Sequence, residues 1–192
     1  LGIDIIDDKM PTADEEVWNG IGTGAASGGS LVGRVNQGNT GFNYTYSAMD
    51  GVTVDLGYAP KTVGTNNDDG ANGGTGANNS STTIAVQYTG IEGANIFAGT
   101  GEVGTALGED DVDTFGFTYA MGPITVGAQH SEIDKTAASS DLETDMYGIA
   151  FAINDNLSIS YGAQETEKDG SATDQEVSGY SIGYSMGGMT IK

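Results

Sequence analysis

Residues 113–130, "DTFGFTYAMGPITVGAQH", alternate apolar and small polar side chains on either side of a tight turn. Phe115, Phe117, Tyr119 and Met121 take every second place, with Thr114, Gly116, Thr118 and Ala120 between them. Beyond Gly122-Pro123 the order resumes, with Ile124, Val126 and Ala128 against Thr125, Gly127 and Gln129. A period of two belongs to the β-strand, whose successive side chains point to opposite faces. The stretch therefore predicts a hairpin with one aromatic and aliphatic face and one face of Gly, Thr and Gln.

The same unit recurs from Thr40 onward. In "TGFNYTYSAMDGVTVDLGYAP", Phe42, Tyr44 and Tyr46 share a face with Val54, Leu56 and Tyr58 across an Asp50-Gly51 turn. Asp-Gly is a strong hairpin signal because both residues tolerate positive φ. In "TTIAVQYTGIEGANIFAGTGEVG", Ile84, Val86 and Tyr88 alternate, while adjacent Ile96 and Phe97 leave the facing of the return strand open. Two further pairs follow in "DMYGIAFAINDNLSISYGAQETE" and "VSGYSIGYSMGGMTIK". Short connections (Met49-Asp50-Gly51, Ile91-Glu92-Gly93, Met121-Gly122-Pro123, Asn154-Asp155-Asn156, Gly187-Gly188) alternate with long polar ones near 61–81, 103–111, 133–144 and 167–175. About ten strands are expected, the last one broken off at Lys192. Only "TADEEVWNGI", with Thr12 at the cap and Glu15 three places on, has a helical signature.

The totals set limits. The chain has 192 residues and no cysteine, so disulfides and thiolate metal sites are excluded. A net charge of -21 with six Lys plus Arg speaks against nucleic acid as a partner. Charged residues are only 17%, and aromatics recur regularly, so the acidity is not that of a disordered chain. No apolar run approaches the ~18 residues of a membrane helix, which leaves a membrane barrel open, since its strands are short and alternating. The opening "LGIDIIDDKM" has too many carboxylates for a secretory h-region.

Alternation alone fits a soluble β-sandwich as well as a membrane barrel. Three features favour the barrel. The polar face is unusually small, with Asn43, Thr45, Asp55, Gln87, Gln129 and Gln164 among glycines, serines and threonines, and the Lys, Glu and Arg usual on an exposed sandwich face are almost lacking. Tyr58, Tyr88, Tyr119, Tyr147, Tyr161 and Tyr184 recur on the apolar face, where a ring with a hydroxyl suits the edge of a bilayer. Turns at one end are short and loops at the other are long, as in transmembrane barrels. Lys or Arg at the lipid midplane costs ~2–4 kcal/mol, and the apolar set contains neither. The expectation is an all-β, antiparallel, up-and-down transmembrane barrel, lipid outside and water within. The tyrosines would form its aromatic belt, and Asn43, Thr45, Asp55, Gln87, Gln129 and Gln164 would face the lumen.

At this point the sequence resembles the general porins of the bacterial outer membrane. "GFNYTYSAMDGVTVDLGYAP" resembles the porin hairpin whose return strand reads G-x-T-V-x-x-x-Y, and "YAMGPITVGAQHSEID" and "YSMGGMTIK" resemble the same element repeated. The resemblance covers about residues 30 to 192. It implies a sixteen-stranded barrel, a homotrimer, contact with outer-membrane lipid and lipopolysaccharide, and passive diffusion of small hydrophilic solutes and ions. Ten strands and a missing terminal aromatic suggest a fragment lacking its first and last strands. The family folds a long loop into the lumen, and residues 1–30 stand where that loop would precede the later strands. If so, Asp4, Asp7, Asp8, Asp14, Glu15 and Glu16 line the constriction, facing Arg34 on the wall; a solvated surface loop is the alternative. Residues 31–192 would supply the barrel strands.

Chemistry is sparse. His130 is the single histidine, so no Ser-His-Asp triad or His-based metal cluster is evident, and an enzyme is not expected. "GTGAASGG" and "GANGGTGAN" lack the Lys and helix of a phosphate cradle. The acidic stretches "GEDDVD" and "NNDDGANGG" lack EF-hand spacing, so no cofactor is expected beyond loosely held Ca²⁺ or Mg²⁺ at acidic loops. The acidic total predicts cation preference in a channel. Rival readings are a substrate-specific or adhesion barrel of the outer membrane and a soluble secreted β-sandwich binding module.

Overall fold

The computed structural model describes residues 42–61, 79–136, 140–186 and 189–191. Ten strands run through them: β1 (Phe42–Met49), β2 (Val52–Ala59), β3 (Ser81–Tyr88), β4 (Ala94–Gly104), β5 (Glu109–Met121), β6 (Ile124–Asp134), β7 (Leu142–Asn154), β8 (Leu157–Lys168), β9 (Gln175–Met186) and β10 (Met189–Ile191). They form one sheet in strict chain order, each strand antiparallel to its sequence neighbours. This is the expected up-and-down meander, with β1 and β10 outermost among the described strands. Among the described residues there is no helix. The segment "TADEEVWNGI" and the proposed constriction residues Asp4, Asp7, Asp8, Asp14, Glu15, Glu16 and Arg34 lie outside the described residues.

The short turns hold the hairpins in register. Gly93 has φ +77°, and a Cβ there would come within 2.5 Å of the Ala120 carbonyl oxygen. Its own carbonyl accepts a hydrogen bond from the Ala120 amide at 2.8 Å. Glycine is thus needed twice over, for the left-handed backbone and for the close approach of β5. At the β7–β8 turn the Asn154 carboxamide oxygen accepts from the amides of Asn156 (2.9 Å) and Leu157 (3.0 Å). This is the local bond that makes asparagine a turn former.

The long connections are shorter than their charge suggested. Between β4 and β5 only residues 105–108 lie outside the strands, and between β8 and β9 only 169–174. "GEDDVD", expected as loop, lies mostly in β5, where Asp111 pairs with Asp134 and Asp113 with Glu132. The reason is that its charges also alternate. Glu109, Asp111 and Asp113 share the face of Phe115, while Asp110 and Val112 take the other. Period, not charge density, decides strand membership.

Candidate functional site

The two faces of the sheet reverse the rule for soluble proteins. Along the part of each strand nearer the short turns, large apolar side chains are exposed. Phe115 is 60% exposed, Phe117 44%, Ile149 44% and Ile182 61%. On the opposite face Thr114, Gln129, Ser131, Thr144, Ser160, Gln164 and Thr166 are all buried. We call the buried polar side the inner face and the other the outer face.

The inner face is bonded to itself. Thr114 donates to the His130 carbonyl at 2.9 Å and shares a 2.7 Å bond with Ser131. Gln129 donates to the Thr114 hydroxyl at 3.3 Å, and Gln164 donates to Thr166 at 3.0 Å. Gln87 reaches the Asn95 carboxamide oxygen at 2.8 Å. Buried hydroxyls and amides need such partners. Among the described residues two atoms lack them: Asp55 Oδ1 and Thr83 Oγ1 are buried with no hydrogen-bond partner. Asp55 is also the only charged residue in the body of a strand on this face, among the described residues. Asp110 and Lys168 stand at strand ends.

The facing of Ile96 and Phe97 is now fixed. Ile96 pairs with Tyr88 and Phe117 on the outer face and is 46% exposed. Phe97 is 2% exposed on the inner face, opposite Gln87 and Gly116. A large ring fits there because Gly116 has no side chain; a Cβ on it would sit 2.7 Å from Phe97 Cζ.

The outer face is divided along its length. Nearer the short turns it carries the apolar set. Nearer the long connections it carries carboxylates: Glu102 on β4, Glu109, Asp111 and Asp113 on β5, Glu132 and Asp134 on β6, Glu143 and Asp145 on β7, Glu165 and Glu167 on β8, and Glu176 on β9. The inner face reverses in the same place, where Val112, Ile133 and Leu142 form a buried apolar cluster with Val103 against it. The loop side of the sheet is thus built as in a water-soluble protein, and the turn side as in a lipid-facing one. A bilayer contacts only the second.

Carboxylates meet one another across strands, Glu132 opposite Glu143, Glu143 opposite Glu167 and Asp145 opposite Glu165. Like charges directly opposite are destabilising. Glu167, beyond the apolar stretch, is pushed above the ordinary carboxylate range first by Asp174 and then by Glu143. Among the described residues, His130 is the one basic group set among these strand carboxylates. Its Nδ1 lies 2.9 Å from Asp145 Oδ1, its Nε2 lies 3.9 Å from Glu143 Oε1, and its ring is 5.1 Å from that of Phe115.

The residues singled out from the sequence fall as follows. Tyr58, Tyr88, Tyr119, Tyr147, Tyr161 and Tyr184 are all exposed on the outer face. Tyr88, Tyr119 and Tyr184 stand toward the short turns. Tyr147 stands two residues from Asp145, at the limit of the carboxylates. Asn43, Thr45, Asp55, Gln87, Gln129 and Gln164 share the inner face; Gln129 and Gln164 are buried there, Asp55 and Gln87 half-buried, and Asn43 and Thr45 exposed on edge strand β1. Sequence reasoning missed the joining of His130 to Glu143 and Asp145. The signal was present in "HSE" and "ETD", whose outer residues share one face of neighbouring strands.

An up-and-down sheet with a small polar inner face and an apolar outer band bordered by charge defines an outer-membrane β-barrel protein. A family model of Gram-negative porins matches residues 3–191. The chain belongs to that family, whose members are channels of the outer membrane. No curated protein matches the chain.

Proposed function

We propose that this protein forms a water-filled channel through which small hydrophilic solutes and ions diffuse passively, with a preference for cations. The observation that carries the reading is the inner face: mostly short, neutral, polar side chains and, among the described residues, one carboxylate, Asp55, in the body of the strands. The preference rests on Asp55 rather than on the net charge, because the strand carboxylates stand almost entirely on the outer face. A fixed carboxylate on a low-dielectric wall raises the local cation concentration and repels anions.

Asp4, Asp7, Asp8, Asp14, Glu15 and Glu16 opposite Arg34 keep, in this reading, their role as the constriction. The resemblance to general porins leads us to propose a homotrimer in contact with outer-membrane lipid and lipopolysaccharide. Ca²⁺ or Mg²⁺, loosely held at the acidic rim of the outer face, would serve as its counter-ions. No step of chemical conversion is invoked.

The test is current through a planar bilayer under a salt gradient. Stepwise conductance with a cation-selective reversal potential supports the reading; silence from folded, inserted protein removes it. Replacing Asp14, Glu15 and Glu16 by neutral residues lowers the cation-to-anion permeability ratio if that segment lines the pore.

A further inference from the structure

His130 offers two ring nitrogens to two carboxylates, and the two contacts are of different kinds. Nδ1 at 2.9 Å from Asp145 Oδ1 is a hydrogen bond. Nε2 at 3.9 Å from Glu143 Oε1 is too far for one. If Nδ1–H donates to Asp145, the tautomer is fixed and the Nε2 lone pair is directed toward Glu143. A carboxylate that holds one imidazole nitrogen while the other binds metal is a common outer-shell arrangement around metal ions.

The gap suits an ion. Zinc takes imidazole nitrogen at ~2.0–2.1 Å and carboxylate oxygen at ~2.0–2.2 Å, so a tetrahedral angle places N and O about 3.4 Å apart. The observed separation would close by roughly half an ångström on binding. Glu143, with 52% side-chain exposure, is free to make that movement. The ligand atoms of His130, Glu143 and Asp145 all lie within 4.8 Å of one another. Glu132 is the next residue after His130 on the same face of β6 and stands directly opposite Glu143, which adds to the negative field there. The four residues form a square on two adjacent paired strands, His130 opposite Asp145 and Glu132 opposite Glu143. Such a base is rigid. The square holds three carboxylates against one imidazole, and among the described residues no Lys or Arg shares its face in β6 or β7.

We propose that His130 and Glu143 bind a single divalent cation of the imidazole-preferring class, zinc being the probe, with Asp145 orienting the imidazole. The site lies on the outer face beyond the apolar band, so it is open to water outside the lipid. It does not depend on whether the barrel conducts. Imidazole in the donor set selects zinc, nickel or copper over Ca²⁺ and Mg²⁺, which prefer oxygen alone.

The test is calorimetric titration of Zn²⁺ into chelator-treated native protein in detergent, with millimolar Mg²⁺ present to occupy diffuse carboxylate sites. One saturable zinc per chain is expected. His130→Gln and Glu143→Gln should each weaken uptake by tenfold or more, and Asp145→Asn by about 10–100-fold through loss of imidazole orientation. Glu102→Gln, on the same rim but on β4, should leave it unchanged. Absence of saturable uptake overturns the proposal, as does uptake that survives His130→Gln. An equal loss in Glu102→Gln also overturns it, since the rim's general charge would then be the binder. Because Asp145→Asn and Glu143→Gln alter exposed side chains without changing their size, they keep the test sharp if His130→Gln folds poorly.

Discussion

Phe97 occupies the space that Gly116 leaves empty: a Cβ on Gly116 would lie 2.7 Å from Phe97 Cζ, 2.6 Å from the Ala128 carbonyl oxygen and 3.0 Å from Gln129 Cα. Two strands are thereby matched, ring against bare backbone. Gly116→Ala should cost about 1–3 kcal/mol, as overpacking of a close-packed site does. Phe97→Ala should cost about 3–5 kcal/mol from lost burial and the cavity left behind. The double variant should cost less than the sum, because the ring that clashes is gone, yet Ala128 and Gln129 still oppose the new methyl. Urea midpoints of the barrel refolded in vesicles measure all three; strict additivity would show that the two positions do not share this space.

The divided outer face makes a positional prediction. Ile149→Lys, in the apolar stretch of β7, should destabilise the inserted barrel by ~2–4 kcal/mol, the cost of a basic side chain at the lipid midplane. Glu143→Lys, six residues away on the same face, should be neutral or stabilising because it relieves repulsion from Glu132 and Glu167. The contrast is read from vesicle folding titrations. Equal costs would place both residues in one medium.

Asp55 joins stability to selectivity. Its Oδ1 is buried without a partner, and such an atom costs about 1–3 kcal/mol. Asp55→Asn should leave folding intact or improve it while shifting the reversal potential toward the anion side. Wild-type conductance in the same bilayer shows first that a channel is present. An unshifted potential would locate the charge filter elsewhere.

Glu167 supplies a pH dependence. Its carboxyl is raised in the folded protein by Asp174 and Glu143. A raised carboxyl stabilises the fold when protonated, so its contribution is complete below the unfolded value of 4.5 and is lost as pH rises through the higher folded value. Glu167→Gln should therefore raise the unfolding midpoint at neutral pH and flatten its slope across that window. Added salt should narrow the difference between variant and wild type, since exposed charges are screened.

The alternation that placed Phe115, Tyr147 and Ile182 on one face was legible in the sequence, as were the turns at Gly51, Gly93 and Gly122. A period of two and positive-φ glycines are local signals, and nothing distant overrode them. The loop limits were less legible. Glu109 to Asp111 read as loop because that stretch is rich in Gly and Asp, yet its residues alternate between the two faces as a strand's do. Phe97 was ambiguous because its placement depends on the missing side chain of Gly116, nineteen positions along the chain. The square around His130 depends on register between β6 and β7, which pairing sets and spacing does not.

The border between apolar and charged residues on the outer face is not square to the hydrogen bonds. On β3 the last apolar residue toward the long connection is Ile84, whose row runs through Thr100, Asp113, Glu132 and Glu143 to Glu167. On β9 it is Tyr180, whose row returns through Tyr161, Ile149 and Val126 to Tyr119 and Ala94. The rows led by Val86 and Tyr88 lie between, so the border crosses three rows of two residues in the six steps from β3 to β9. That is about one residue per strand, and with a rise of ~3.4 Å against a strand spacing of ~4.8 Å it slopes at roughly 35°. Strands of membrane barrels lean by ~35–45° from the barrel axis, the lean that lets a staggered sheet meet its own edge. A level water line drawn on leaning strands gives this slope, so the charges on an open sheet already record the inclination of the closed barrel.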